Sequence, residues 1–472
     1  MKKITPKLSL ISIFIALTGC TTHVDLSSKV NIPAQFEQIQ NAATIQSTTE
    51  ISRWWQNWRD PQLTQLIEQG LKHNFDIEIA KARLLEAQAI SQYTQADLGP
   101  QVGAQGTAGL MYTHVKNPLT HRSYDRSGNV QSAGISASWE LDFFGKKRSD
   151  RDAAQAAVLG AQQQVYAAQM LVAGQIAESY ANIAALTQQQ ALLQQTEKRL
   201  RQLKHYVEGR FRAGQTNANE VLQVESQISA VQAQQATLKA QIAANERAIA
   251  VLIGQPPQGF HLTPSAVDFL SVLPSAPCGV VPGDILERRP DLRAYKAQVQ
   301  ARAAKLASAK ADLYPRFDIQ FLGQTGRIDI DINTDIPDLK GWGNLLNLGI
   351  HLPIFTNGRI QANINASDAR LKTALLQYDK ALLQALADVD NSYQAQAALN
   401  RQTQLLQTAY RQAQTQAINA EKLFKYGEKT LDNALMAQLT ALDSQNRLIQ
   451  SRLAGAKNLI NLYKALGGGW QE

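Results

Sequence analysis

Side chains able to do covalent or acid–base chemistry are present, but their spacing assembles no reaction centre. The seven His residues are scattered, and none falls in an H-E-x-x-H or similar ligand spacing. No nucleophile elbow and no phosphate-cradling glycine loop occurs. An enzyme reading, such as an envelope hydrolase, therefore lacks a site, and no metal or cofactor is expected. Of the two cysteines, Cys278 lies in a Pro-rich stretch and reads as a passive loop residue. A disulfide framework is not expected.

Cys20 is the thiol with a chemistry to predict. Lys2, Lys3 and Lys7 form a basic n-region, and Leu8 to Leu17 is an apolar run too short to span a bilayer. The run ends in Leu17-Thr18-Gly19-Cys20, which resembles a bacterial lipobox. That implies a cleaved leader over 1–19 and an acyl group, palmitate among the chains, on the thiol of a new N-terminal Cys20. Thr21, not Asp, follows it, which favours the outer membrane. The plainer alternative is an ordinary secretory signal with a chance cysteine. The formal charge of +8 falls to about +5 without the leader lysines, so a nucleic-acid partner is not expected.

Beyond the leader no stretch approaches 18 apolar residues, so a membrane crossing would have to be made by strands. Four segments alternate with period 2. Val102, Ala104, Ala108, Leu110 and Tyr112 share one face of the first. Ala133, Ile135, Ala137, Trp139, Leu141 and Phe143 share a face of the second. Phe317, Ile319 and Phe321 mark the third, and Leu346, Leu348, Ile350, Leu352 and Ile354 the fourth. Such segments, apolar on one side and polar on the other, suit membrane barrel strands. Polar loops are expected at Thr113–Val130 and Gly326–Gly341.

Between and after these hairpins the period becomes 3.5. Val165, Val172, Leu186, Leu193, Leu200 and Val207 keep a seven-residue spacing. So do Val221, Ile228, Ile242 and Ile249, with a companion series Val224, Val231, Leu238 and Leu252. Leu435, Leu442, Ile449, Ala456 and Tyr463 repeat it near the C-terminus. These seams predict helices packed as coiled coils. Lys146 to Glu208 contains no Pro, and as one helix it would extend on the order of 90 Å at 1.5 Å per residue.

The chain also repeats itself at an offset of 213 residues: Phe211 and Gly214 recur as Phe424 and Gly427, Leu222 as Leu435, and Gly254 as Gly467. The expected organisation is a leader (1–19), an anchored N-terminal segment (20–60), a first repeat (61–254), a Pro-rich linker (255–282), a second repeat (283–467) and a short tail (468–472). Each repeat would run helix, hairpin, long helix, turn, helix, with hairpins at about 101–143 and 316–355. Four strands cannot close a barrel alone, and an open sheet in lipid leaves unpaired edges. The strands therefore require an oligomer.

Several further segments carry a family likeness. They are Trp54-Trp55 with Trp58, Asp60-Pro61-Gln62-Leu63, Glu287-Arg288-Arg289-Pro290-Asp291-Leu292, and the paired turns Arg210-Phe211-Arg212-Ala213-Gly214 and Leu423-Phe424-Lys425-Tyr426-Gly427. With the lipobox and the duplication, they make the chain resemble the TolC-like outer-membrane efflux family, in its lipoprotein branch. The resemblance covers nearly the whole mature chain. It implies an α+β membrane protein: a homotrimer with a 12-stranded β-barrel, four strands per chain, continued by a long α-helical coiled-coil barrel. It further implies a belt around that barrel built from the N-terminal, linker and C-terminal segments. Outer-membrane lipid, a periplasmic adaptor protein and an inner-membrane pump are the implied partners. The function implied is the passive exit duct of a tripartite system for drugs or other small molecules. Two other readings stand beside it: a conduit for protein secretion, and a coiled-coil adaptor lipoprotein with no pore.

The resemblance also places function at the turns of the helical hairpins, Phe211–Glu220 and Phe424–Asn433. Asp432 and Glu220 are the expected gate carboxylates, with Glu428 beside them and Lys429 holding the closed state by ion pairing. Three copies of a carboxylate around a narrow axis repel one another and attract cations. As single residues they read equally well as solvated charges at a helix start. Arg212, Gly214, Phe424 and Gly427 are the expected adaptor contacts. Gly214 and Gly427 also suit a plain left-handed turn. Arg288, Arg289 and Asp291 read as structural, with Pro290 in the first turn of a helix.

Overall fold

The structure, a computed structural model, describes residues 30–33, 36, 51–116, 123–263, 265, 267–277, 282–330 and 339–470. Cys20, Cys278 and the leader lie outside the described residues. After a short 3-10 helix, Trp54–Trp58, come α1 (Pro61–His73), α2 (Phe75–Ala96), β1 (Gln101–Lys116), β2 (Ser123–Leu141), α3 (Lys146–Arg212) and α4 (Ala218–Leu252). The second half runs α5 (Pro282–Arg288), α6 (Pro290–Ala311), β3 (Arg316–Ile330), β4 (Leu339–His351), α7 (Arg359–Lys425) and α8 (Leu431–Ala465). The duplication survives in element lengths: α2 and α6 have 22 residues, α3 and α7 have 67, and α4 and α8 have 35.

Two compact units are formed. The first contains Leu85–Leu159 and Lys296–Gln377, and its centre is a four-stranded antiparallel sheet in the order β1-β2-β3-β4. Register puts all four alternating series on one face. Val102 pairs with Ala137, Ala137 with Phe321, and Phe321 with Leu346, an unbroken apolar row across the sheet. Trp139, Ile319 and Leu348 form a second row, and Leu141, Phe317 and Ile350 a third. On the opposite face the row is Gln101, Ser138, Gln320 and Asn347. The apolar face is uncovered in one chain, with Leu348 72% exposed. The two edge strands, β1 and β4, each have one unpaired side.

The strands differ in extent from the expectation. Pairing continues past Tyr112 to Lys116↔Ser123, and from β3 to β4 out to Ile328↔Leu339, so much of the two expected polar loops is ladder. The ladder is held by backbone hydrogen bonds, which need no apolar side chain. At the other end the strands stop sooner. Phe143, Leu352 and Ile354 lie outside them. Pro353, with no N–H to donate, follows the last paired residues of β4. After β2 the Asp142 carboxylate turns to accept from the Lys147 and Arg148 N–H groups, capping α3.

The second unit contains the described residues up to Leu84, with Gly160–Tyr295 and the chain from Tyr378 onward. The heptad positions Val165, Val172, Leu193, Leu200 and Val207 are buried, as are Val224, Val231 and Leu238 on α4 and Ile449, Ala456 and Tyr463 on α8. One core gathers the N-terminal tryptophans against the linker and the last helix. Trp54 stacks on Tyr463 at 5.5 Å between centroids, and Trp58 on Phe269 at 5.6 Å. Beside it Asp60 is fully buried. Its Oδ1 accepts the Gln62 and Leu63 N–H groups, capping α1 with Pro61 in the first turn, while Oδ2 accepts from the Tyr180 and Ser265 hydroxyls. Arg289 forks onto Asp291 (3.1 and 2.8 Å), reaches Asp388 at 3.5 Å, and donates to the Ala465 carbonyl near the end of α8.

Candidate functional site

The tips of the two helical hairpins lie together in the second unit, and each is made by a helix ending on glycine. At the end of α3 the Gly214 N–H donates to the Phe211 carbonyl and the Gln215 N–H to that of Arg210. At the end of α7 the Gly427 N–H donates to Phe424 and the Glu428 N–H to Leu423. This is the paired 6→1 and 5→2 closure of a Schellman motif, which places a left-handed residue just beyond the helix. Gly214 has φ +71° and Gly427 +78°, and a Cβ at either would meet nothing within 4 Å. Backbone conformation, not crowding, is what asks for glycine there.

The return helices start differently. Asn217 caps α4, its Oδ1 accepting the Glu220 N–H at 3.3 Å. Thr430 precedes α8 but its side chain accepts instead from Asn433 Nδ2 at 2.7 Å. Glu220 and Asp432 both fall in a first helical turn, where the positive end of the helix dipole favours a carboxylate. Asp432 Oδ1 accepts from Gln223 Nε2 of α4 at 2.9 Å, so the acid of one repeat is tied to the other. Glu220 is half-buried, and its Oε2 is enclosed without a hydrogen-bond partner among the described residues. Within the chain Lys429 makes no ion pair among the described residues, and Glu428 contributes its backbone N–H to the turn.

Of the four expected contact residues, three stand at the surface and one does not. Arg212 is exposed, 4.0 Å from Glu208. Phe424 is only 2% exposed. It packs edge-on against Tyr206 at 5.6 Å, lies under the Arg210 guanidinium, and shares a core with Val207, Val224, Ile228 and Leu431. Its side chain serves the joint between hairpins, because an aromatic ring within a heptad seam has apolar partners on every side. The aromatic groups presented outward are Phe211 and Tyr426. Sequence reasoning missed Tyr206, whose hydroxyl donates to the Lys425 carbonyl at 3.0 Å, and Gln223. The aromatic at 206, one residue before the seam position Val207, was a usable signal; one Gln among many on α4 was not.

Chemically the tip offers charge, hydrogen bonding and shape. No group of three His, Cys, Asp or Glu able to hold a metal occurs among the described residues. No described helix is long and apolar enough to cross a membrane.

Comparison with known proteins agrees with this architecture. The sequence profile described as "Outer membrane efflux protein" matches residues 66–255 and 281–468. The pyoverdine export outer membrane protein OpmQ of Pseudomonas aeruginosa is 30% identical over 473 aligned residues, covering 98% of this chain and 97% of the relative. The cation efflux system protein CusC of Escherichia coli is 25% identical, with 97% of each chain covered. Among solved structures, that of the outer-membrane channel OprN superposes with a TM-score of 0.84 at 24% identity, over 96% of this chain and all of the other. A crystal structure of CusC gives 0.80 at 24% identity, over 95% of this chain and all of the other.

Proposed function

Because the chain belongs to the outer membrane efflux protein family, we propose that three copies of it close one barrel and form the passive duct through which small molecules leave the cell. The observation that carries it is the sheet, apolar on one face, polar on the other, and open at β1 and β4. Open edges in lipid leave several kcal/mol per unpaired backbone group, of order 2–7 kcal/mol each, which edge-to-edge pairing between copies removes. Twelve strands then surround a polar lumen.

The duct performs no chemistry of its own. A periplasmic adaptor and an inner-membrane pump supply the energy and the cargo, meeting the channel at the tips around Arg212, Gly214 and Gly427. Glu220 and Asp432 line the constriction, with Glu428 and Lys429 at its rim. Cys20 carries the lipid that holds the N-terminus to the membrane. Relatives named for pyoverdine export and for cation efflux differ in cargo, so the family leaves the compound open.

Reconstitution in a planar bilayer tests the duct, combined with disulfide trapping between Cys at Ala104 on β1 and Cys placed in turn at Asn344, Leu346 and Leu348 on β4. A chain-to-chain disulfide ladder ending at three copies, together with ion conductance, is expected. Absence of cross-links at every register, with no conductance, sinks the proposal. Palmitate labelling lost in Cys20→Ser tests the anchor separately.

A further inference from the structure

Three helices of the first unit each turn one stripe of polar side chains toward a cleft of about 390 Å³. Lys146 and Asp150 are one turn apart on α3. Arg302, Lys305 and Ser308 follow one face of α6, with Asp312 just past its end, and Asn363, Ser367 and Arg370 follow one face of α7. The cleft adjoins the base of the sheet: Lys146 follows the end of β2 by five residues, and Asp312 precedes β3 by four.

Its two carboxylates are already engaged. Asp312 accepts from Lys146 Nζ and, at 2.7 Å, from Arg316 Nη2, while Asp150 accepts from Lys305 Nζ at 2.7 Å. Burial alone would raise the Asp312 carboxyl, but the bonds from Lys146 and Arg316 outweigh it and hold it below the usual range. What remains is a set of donors. Arg302, Arg370 and Asn363 have no partner among the described residues. Ser308 and Ser367 are 6% and 7% exposed, line the cleft, and make no hydrogen bond among the described residues. Neither hydroxyl is sealed from solvent, so both, beside two guanidinium groups, present donors to the same cleft.

We propose that this cleft binds a phosphate-type oxyanion, with Arg302 and Arg370 as charge partners and the Ser308 and Ser367 hydroxyls as donors. Several convergent donors suit a tetrahedral anion with three or four oxygens better than a two-oxygen carboxylate, and guanidinium groups match phosphate oxygens in pairs. The volume falls within the range of small-ligand sites, so an ester substituent fits beside the phosphate. The source is either a phosphodiester lipid headgroup or free phosphate. The lipid reading rests on the strands crossing the membrane, which would bring the cleft to the level of headgroups; the anion site itself does not.

The test uses the full-length protein in its assembled, detergent-solubilised state. Native mass spectrometry with phosphatidylglycerol and phosphorus NMR with inorganic phosphate are the two probes. Wild type is expected to retain at least one of them. R302Q/R370Q, and separately the near-isosteric S308A/S367A, should each weaken that binding about tenfold or more while single-channel conductance is unchanged. Retention of the lipid alone assigns a headgroup, and binding of inorganic phosphate assigns a free anion. If wild type binds neither, or both variants bind as wild type does, the proposal is overturned. No conductance from wild type, with binding lost in the variants as expected, would count against the duct reading and leave the anion site standing.

Discussion

Gln223 Nε2 donates to Asp432 Oδ1 at 2.9 Å, joining side chains 209 residues apart in sequence at the point where the two helical hairpins turn back. An exposed bond of this kind contributes about 0.5–1 kcal/mol. If the tips open the duct, Gln223→Leu or Asp432→Ala should shift the open-to-closed ratio by roughly two- to five-fold. The double variant should add little to either single one. Single-channel recording reads this directly; unchanged conductance and cation selectivity in Asp432→Ala and Glu220→Ala would remove both acids from the gate.

The glycines at helix ends should separate into two classes. At Gly214 and Gly427 an added methyl group meets open space, so alanine costs only the left-handed strain, about 1–2 kcal/mol. At Gly254 (φ +74°) the same methyl would sit 2.5 Å from the His73 carbonyl oxygen, and at Gly467 (φ +77°) 2.7 Å from the Arg288 carbonyl carbon. Thermal melting should therefore fall further for G254A and G467A than for G214A and G427A. Loss of export in G214A or G427A with melting preserved would mark the turns as contact surfaces.

Tyr180 should make the protein alkali-sensitive. Burial, with the Asp60 carboxylate beside the hydroxyl, pushes its ionisation well above the usual tyrosine range, although the Ser265 hydroxyl opposes this. The folded pKa is raised above the unfolded one, so the stabilisation is complete below about pH 10. It is lost as pH rises above that value, because only the unfolded chain releases the proton. Tyr180→Phe should cost about 1–3 kcal/mol at neutral pH by leaving Asp60 Oδ2 short of a donor. The variant should also show a flatter stability profile above pH 10. A profile as steep as that of wild type would assign the sensitivity elsewhere.

Neighbouring residues on β4 should respond oppositely to charge. Leu348 lies on the apolar face and Asn347 on the polar one. Leu348→Arg should destabilise the assembled protein by about 2–4 kcal/mol if it lies near the bilayer midplane. Asn347→Arg should leave stability nearly unchanged and alter conductance or ion preference. Denaturant unfolding from vesicles and bilayer recording distinguish the two; equal destabilisation would mean that both faces are buried.

The elements legible in the sequence were those written in periodicity. Val102, Ala137, Phe321 and Leu346 could be assigned a face because side chains alternate at every residue of a strand, and the structure aligns the four in one row. The heptads at Val172 or Ile449 were readable for the same reason. The outer parts of the strands were not, since residues such as Asp125 and His114 pair through the backbone without an apolar pattern. At the tip, glycine spacing located the turns, but the sequence could not say which aromatic turns inward. Phe211 and Phe424 occupy equivalent repeat positions, yet only Phe424 is enclosed, by Tyr206 and Arg210 of the other hairpin. Long-range polar partners such as Asp60 with Tyr180 leave no periodic trace at all. In the sequence Asp60 stands out by its place before Pro61; receiving two hydroxyls from distant segments is a second role that the sequence does not show.

Within one chain, β2 of the first repeat already pairs with β3 of the second. Closing a ring asks β4 of one copy to make the corresponding contact with β1 of the next. The hairpin, and not the polypeptide, is thus the unit of closure, and one kind of seam serves six times in a ring of three chains. A seam rehearsed inside the monomer does not count the copies. With three copies, as proposed, their number is set by something other than this seam.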